Sequence, residues 1–327
     1  MNIHRFKRLV MGAALLAGIV GSSAVFTAAG GDDNSNSNSN SNNDGERFSV
    51  ALWGDMPYVK GGAEWTSARQ VENLIADVNK QKVAFSVFDG DIKSGSSFCD
   101  NSQYTQAIAR FNTFKAPAVY VPGDNEWTDC HRALGAARDP LERLQKLRSL
   151  FFADDYSLGQ RKITLARQSA AYPENARWEH QGIVFATLNV PGSSNNARMP
   201  DELAARGKAN DAWITNTYAH ARAQSRHAVV LVMQADPFAG DGRVSRHYTD
   251  LMNAITRETM NFNGEVLLIH GDTHRYRFDQ PLMDPRTQQA LRNFTRLEVF
   301  GYPLVNWVRV RVGQRDGKVT FLASPGG

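Results

Sequence analysis

The chain is poor in cysteine: 327 residues contain only Cys99 and Cys130. That excludes a disulfide-dense mini-scaffold and a zinc site built from four cysteines. It also lacks a decisive charge of either sign. The formal charge is +4, from 37 Lys and Arg against 33 Asp and Glu, and Arg5, Lys7 and Arg8 supply three of the positives. Without those three, 34 positives face 33 negatives, so the remainder carries no general electrostatic signal for nucleic acid or an anionic membrane. No Walker loop or G-x-G-x-x-G follows the first apolar segment, and no G-x-S-x-G closes a strand. Phosphate-loop nucleotide binding and a serine-hydrolase elbow are thus not indicated. Long hydrophobic runs are absent beyond the amino terminus.

There, the three basic residues precede an apolar run from Leu9 to Gly21, and small residues follow as far as Ala29. This is the order of a secretory signal, with cleavage expected after Ala29 and Ala24 as the competing position. A lipoprotein acceptor cysteine is missing. The expected destination is periplasmic or secreted; the alternative is a membrane anchor through uncleaved residues 9–29. After cleavage no stable membrane span is expected. Residues 30–46, with Asn-Ser repeats from Asn34, have almost nothing apolar to bury and read as a disordered tether. The folded domain is expected over residues 47–327. In an oxidising compartment Cys99 and Cys130 are expected to pair.

Within that domain short apolar segments alternate with helical periodicity. Strands are expected at 48–53, 83–88, 118–121, 183–190, 228–233 and 266–269, with helices at 65–78, 104–114, 141–152, 202–222 and 248–260. The tail reads as β-rich. The stretch 157–195 offers one strand and few boundaries. The pattern implies an α/β layered fold.

Five strands end in polar, mostly acidic clusters: Asp55; Asp89 and Asp91; Asp124, Asn125 and Glu126; Gln234 and Asp236; Asp272 and His274. Glycine precedes Asp55, Asp91, Asp124 and Asp272. One Gly-Asp is an ordinary turn. Four of them at strand ends place carboxylates together in a crevice, where they repel one another and require cations.

This arrangement resembles the calcineurin-like metallophosphoesterase superfamily over roughly residues 48–312. The resemblance implies a β-sandwich flanked by helices (four layers, α/β/β/α), two divalent metals, and a metal-bound hydroxide that attacks a phosphate mono- or diester. Residue by residue, it implies Asp55, Asp91, Asp124, Gln234, Asp272 and His274 as metal ligands, with Asp91 bridging. Several positions depart from the family pattern. Pro57 stands at a histidine position, Asn125 at the catalytic histidine, Gln234 at another histidine, and Asp272 at the first histidine of the last motif. A donor set rich in oxygen suits Mg²⁺ or Mn²⁺ more than Zn²⁺.

Asn125 can hydrogen-bond a phosphate oxygen but cannot protonate a leaving alkoxide as imidazolium can. His131, beside Cys130, is the nearest replacement acid. Gly54-Asp55-Met56-Pro57-Tyr58 also matches the Gly-Asp-x-x-Tyr of purple acid phosphatases, but it follows the first strand rather than the second, so Tyr58 is read as a substrate-pocket residue. Lys93 is expected to bind substrate phosphate or to neutralise the carboxylates, and Asn189 to contact substrate. The expected partner is a small-molecule or polymeric phosphate ester. The rival reading is a catalytically inactive protein of the same fold that binds a phosphorylated or polyol ligand.

Overall fold

The computed structural model describes residues 46–58, 64–132, 137–238, 242–316 and 318–326. By its contacts the chain divides into residues 1–42 and 43–327, and every described residue belongs to the second unit. The expected signal segment and most of the tether therefore lie outside the described residues. Among the described residues, no helix is long and apolar enough to cross a membrane.

Two sheets form the unit. The first has five strands in the order β12-β11-β1-β2-β3, and the second seven in the order β4-β5-β6-β7-β8-β10-β9. In the first, β1 (Glu46–Trp53), β2 (Ser86–Phe88) and β3 (Ala118–Tyr120) run parallel, while β11 (Val308–Arg315) and β12 (Lys318–Pro325) add an antiparallel edge. In the second, β6 (Ile183–Thr187), β7 (Ala228–Val232), β8 (Glu265–His270) and β10 (Phe294–Glu298) are parallel. Antiparallel β4 (Ala166–Ser169) and β5 (Tyr172–His180) flank one side, and β9 (Arg277–Asp279) the other.

The period-two rule of a strand explains the layers. Phe48, Val50 and Leu52 of β1 face the second sheet and pack in the core with Phe185, Val230 and Ile269. Ala51 and Trp53 point the other way, into a cluster with α1 (Glu64–Val78), α2 (Asn101–Phe111) and α3 (Pro140–Phe151). On the far side, Val229 and Leu231 of β7 pack under α5 (Pro200–Ala223) and α6 (Thr249–Met260). The layers are therefore helix, sheet, sheet, helix. Central strands buried on both faces read as continuous apolar runs, as is typical of parallel sheets.

The expected elements recur with shifted ends: the second strand starts at Ser86 rather than residue 83, and β6 ends at Thr187 rather than residue 190. The stretch 157–195 holds two strands that periodicity did not reveal, β4 and β5. In β5, Ala176 and Trp178 face the core, but Glu174 and Asn175 are also fully buried. Glu174 is paired with Arg148 at 2.6 Å and accepts from Asn189 at 2.9 Å. Buried polar groups satisfied by distant partners mask the alternation on which a sequence reading depends.

Candidate metal centre and its rim

The parallel strands of both sheets deliver their carboxyl ends to one place. Asp55 follows β1, Asp91 follows β2, Asp124 to Glu126 follow β3, Gln234 follows β7, and Asp272 and His274 follow β8. Asp55, Asp91, Asp272 and His274 take φ of 50°, 64°, 76° and 61°. This left-handed backbone costs an L-residue about 1–3 kcal/mol and is concentrated at functional sites. Glycines permit the close approach: a Cβ on Gly123 would stand 2.1 Å from Asp91 Oδ1, and one on Gly271 2.2 Å from Asp55 Oδ2.

Glu126 struts the second and third motifs. Its Oε1 accepts from Asp91 N at 3.0 Å, Gly123 N at 2.7 Å and Tyr120 Oη at 2.8 Å. Asp91 is enclosed by donors. Asn125 N reaches its Oδ1 at 3.0 Å, while Tyr58 Oη and Asn125 Nδ2 both reach Oδ2 at 2.6 Å. Asn125 Nδ2 also donates to Tyr58 Oη at 2.8 Å. Asp55 Oδ2 accepts from Asp272 N at 3.0 Å, and Asp272 Oδ2 from Asp236 N at 3.1 Å. Gln234 Oε1 accepts from Gly192 N at 2.5 Å, and its buried Nε2 has no hydrogen-bond partner.

Asp91, Asp272 and Asp89 resist ionisation. Burial first, then the charges of Asp124, Glu126 and Asp55, push Asp91 well above the ordinary range. Burial, Asp124 and Asp55 push Asp272 up to about 8. Behind them Asp89 is raised by burial and by Asp55, and neither of its oxygens has a hydrogen-bond partner. Such a cluster favours any cation that enters it.

The donor chemistry suits a hard divalent cation. Asp55 Oδ1 is buried without a hydrogen-bond partner. His274 Nδ1 donates to the Tyr302 carbonyl at 2.6 Å, which turns Nε2 toward Asp55 Oδ1 at 3.6 Å; burial opposes protonation of the ring but Asp55 favours it, and a cation would take the place of the Nε2 proton. Metal-binding histidines are commonly oriented in this way. Among the described residues, however, no three His, Cys, Asp or Glu side chains already stand in a metal-holding arrangement. Two of the oxygens are already occupied: Tyr58 and Asn125 engage Asp91 Oδ2, and Ser193 Oγ engages Asp124 Oδ2. Those contacts must be exchanged for a cation to bind.

The remaining predicted site residues are placed as follows. Cys99 and Cys130 form a disulfide, tying the loop after β2 to the loop after β3. His131, beside it, is half-buried and donates through Nδ1 to the Thr128 carbonyl at 2.7 Å. Lys93 is buried, and its ammonium donates to the carbonyls of Ser94 at 2.9 Å and Ser97 at 3.1 Å. Burial lowers its pKa, against the pull of Glu126 and Asp91. Asn189 is fully buried, its Nδ2 directed to Glu174 and its carbonyl bonded by Arg206 and Asn210. Its hydrogen bonds belong to a buried polar network rather than to the carboxylate cluster. Tyr58 is brought into the cluster, its ring 5.2 Å from that of His274. Ser193, Asp129 and Arg132 also reach the cluster's edge, although nothing in their local sequence singled them out.

No protein-family model matches the sequence, and comparison with curated protein sequences finds no match. Solved structures do match. A dimetal phosphatase from Danio rerio is similar with a TM-score of 0.50 and 12% identity, over 86% of this chain and 100% of that one. A purple acid phosphatase from yellow lupin seeds matches at 0.49 and 12% identity, over 85% of this chain and 51% of its own. PhoD matches at 0.48 and 9% identity, over 86% and 69%. Two facing sheets between helical layers, with acidic motifs at the parallel strand ends, give this chain the fold of the calcineurin-like metallophosphoesterases, in a divergent form.

Proposed function

We propose that this chain is an exported, metal-dependent phosphoesterase. One observation carries the reading: Asp55, Asp91, Asp124 and Asp272 are brought together from four strand ends across two sheets, and their negative charge exceeds that of the cationic groups beside them, Lys93 and His274. Burying more carboxylates than there are counter-charges is costly, and a divalent cation offsets that cost. Asp55, Asp91 and His274 would hold one cation. Asp91, Asp124 and Asp272 would supply oxygen donors for a second, with Gln234 able to join only through the oxygen that now accepts from Gly192. This donor set favours Mg²⁺ or Mn²⁺ over Zn²⁺. When bound, such cations activate water and neutralise phosphoryl charge.

The chain's own residues do the rest. Glu126 fixes the loops that carry Asp91 and Asp124. Asn125, with Tyr58 beside it, offers amide hydrogens to a phosphoryl oxygen but no transferable proton. His131 has Nε2 left for proton exchange and is our assignment for the group that protonates the leaving oxygen. Asn125 also favours the second reading, an inactive protein that binds a phosphorylated or polyol ligand, because its amide and the Tyr58 hydroxyl already satisfy Asp91 Oδ2.

The deciding experiment is hydrolysis of p-nitrophenyl phosphate and bis-p-nitrophenyl phosphate by the full chain, with Mg²⁺, Mn²⁺, Ca²⁺ and Zn²⁺ in turn. Cation-dependent turnover that Asp91→Asn abolishes is expected, whereas His131→Ala should spare the nitrophenyl esters and reduce turnover of an alkyl phosphate at least tenfold. Folded protein with no turnover under any cation selects the binding-protein reading, because nitrophenolate leaves without needing a general acid.

A further inference from the structure

Four consecutive residues, Ser193, Ser194, Asn195 and Asn196, hold φ of 47°, 60°, 56° and 58° in and beside the short left-handed turn α4 (Gly192–Asn195). None is glycine. Left-handed backbone is unfavourable for each L-residue, and such a run persists only where its surroundings enforce it. Arg206 does so from α5. Its side chain is 1% exposed. Nη1 donates to Asn195 Oδ1 at 2.7 Å and Nη2 to the Asn195 carbonyl at 3.0 Å, while Nε pairs with Glu202 at 2.7 Å. Glu202 in turn accepts from Asn196 Nδ2 at 2.8 Å.

The enforced turn aims the Ser193 hydroxyl. It donates to Asp124 Oδ2, lies 3.1 Å from Asp129 Oδ2, and accepts from Arg132 Nη2 at 3.2 Å. Arg132 Nη1 pairs with the same Asp129 oxygen. A guanidinium is thereby held from two sides at the edge of the carboxylate cluster, one hydroxyl away from Asp124. Its side chain remains 51% exposed, and its two anchors leave Nε–H and one hydrogen on each terminal nitrogen available. Other nearby cations are committed: Lys93 to two carbonyls, Arg206 to the turn, and Arg277 to Glu298 at 2.9 Å.

We propose that Arg132, seated by Asp129 and Ser193, binds non-bridging oxygens of a terminal phosphoryl group, so that the substrate class is a phosphate monoester. A planar fork of donors matches a phosphoryl group bidentately. A monoester offers three non-bridging oxygens and a diester two, so a monoester keeps oxygens for this fork when the carboxylate-held cations take others. The inference rests on the phosphoesterase reading and adds the recognition element to it.

The test titrates inorganic phosphate into the full chain with Mn²⁺ present, by calorimetry, and measures kcat and KM for p-nitrophenyl phosphate. Arg132→Ala should weaken phosphate binding and raise KM at least tenfold, with a smaller change in kcat. Arg132→Lys, which keeps the charge but not the fork, should recover only part of the loss. Ser193→Ala should weaken binding severalfold with the fold intact by circular dichroism. Phosphate affinity and KM within twofold of the parent in Arg132→Ala, or no phosphate binding by the parent, overturns the proposal. The two readings fail separately. Phosphate binding through Arg132 without turnover under any cation sinks the enzyme and keeps the anion site. Turnover indifferent to Arg132 does the reverse.

Discussion

Tyr58 Oη donates to Asp91 Oδ2 across 2.6 Å, and the two residues lie 33 positions apart. The contact occupies the oxygen that a bridging ligand would present to a cation. Burial and the adjacent Asp91 charge raise the tyrosine pKa well above its ordinary value, so the hydroxyl keeps its proton.

A cation and the Tyr58 hydroxyl therefore compete for one carboxylate oxygen. Tyr58→Phe should bind Mn²⁺ severalfold more tightly than the parent in calorimetric titration. In the parent, adding Mn²⁺ should change the near-ultraviolet circular dichroism of tyrosine, and the variant should lose most of that change. Identical affinities would mean that Tyr58 stays on Asp91 when the cation binds.

The Cys99–Cys130 disulfide closes a loop with a sequence separation of 31. On the loop-closure model it stabilises the chain by about 3.5 kcal/mol. It also anchors the short 3-10 turn Thr128–Arg132 that carries Asp129 and Arg132. Replacing both cysteines by serine should lower the urea midpoint accordingly and raise KM for a phosphate ester more than it lowers kcat. A variant with unchanged KM would show that Arg132 is held without the bridge.

Glu298 lies beneath the cluster, fully buried, with Oε1 accepting from Arg275 N at 2.9 Å and Oε2 paired with Arg277 at 2.9 Å. Burial outweighs those contacts and pushes its pKa up to about 7, from an ordinary 4.5. An acid with a raised folded pKa keeps its proton when the unfolded chain has lost it. Its contribution to stability therefore falls as pH rises from 4.5 to 7 and is level beyond that. Glu298→Gln removes the titration. The stability of the variant relative to the parent should climb across that window by up to about 3 kcal/mol, read by urea unfolding at a series of pH values. A flat difference would show that the Glu298 pKa does not change on folding.

Much of the fold was legible because the central strands are buried on both faces. Phe48 to Trp53 and Ala228 to Val232 carry no exposed position to interrupt the apolar run. Strand β5 was not legible, since Glu174 and Asn175 are buried only by virtue of Arg148, Asn189 and Asn210, which are remote in sequence. The same contrast holds at the site. Gly-Asp at four strand ends announced the carboxylates, whereas Ser193 and Arg132 carry no mark of their own.

By itself, then, the order of apolar runs and strand-end carboxylates determined a layered α/β chain with an acidic crevice, because strand periodicity and backbone turning at glycine are local properties. Which donors already occupy those carboxylates, and which cation stands at the edge, were decided only by tertiary structure. Arg206 holds a left-handed turn on a helix that follows it, the turn aims Ser193 at residues more than 60 positions earlier, and contacts of that span arise only when both sheets have packed.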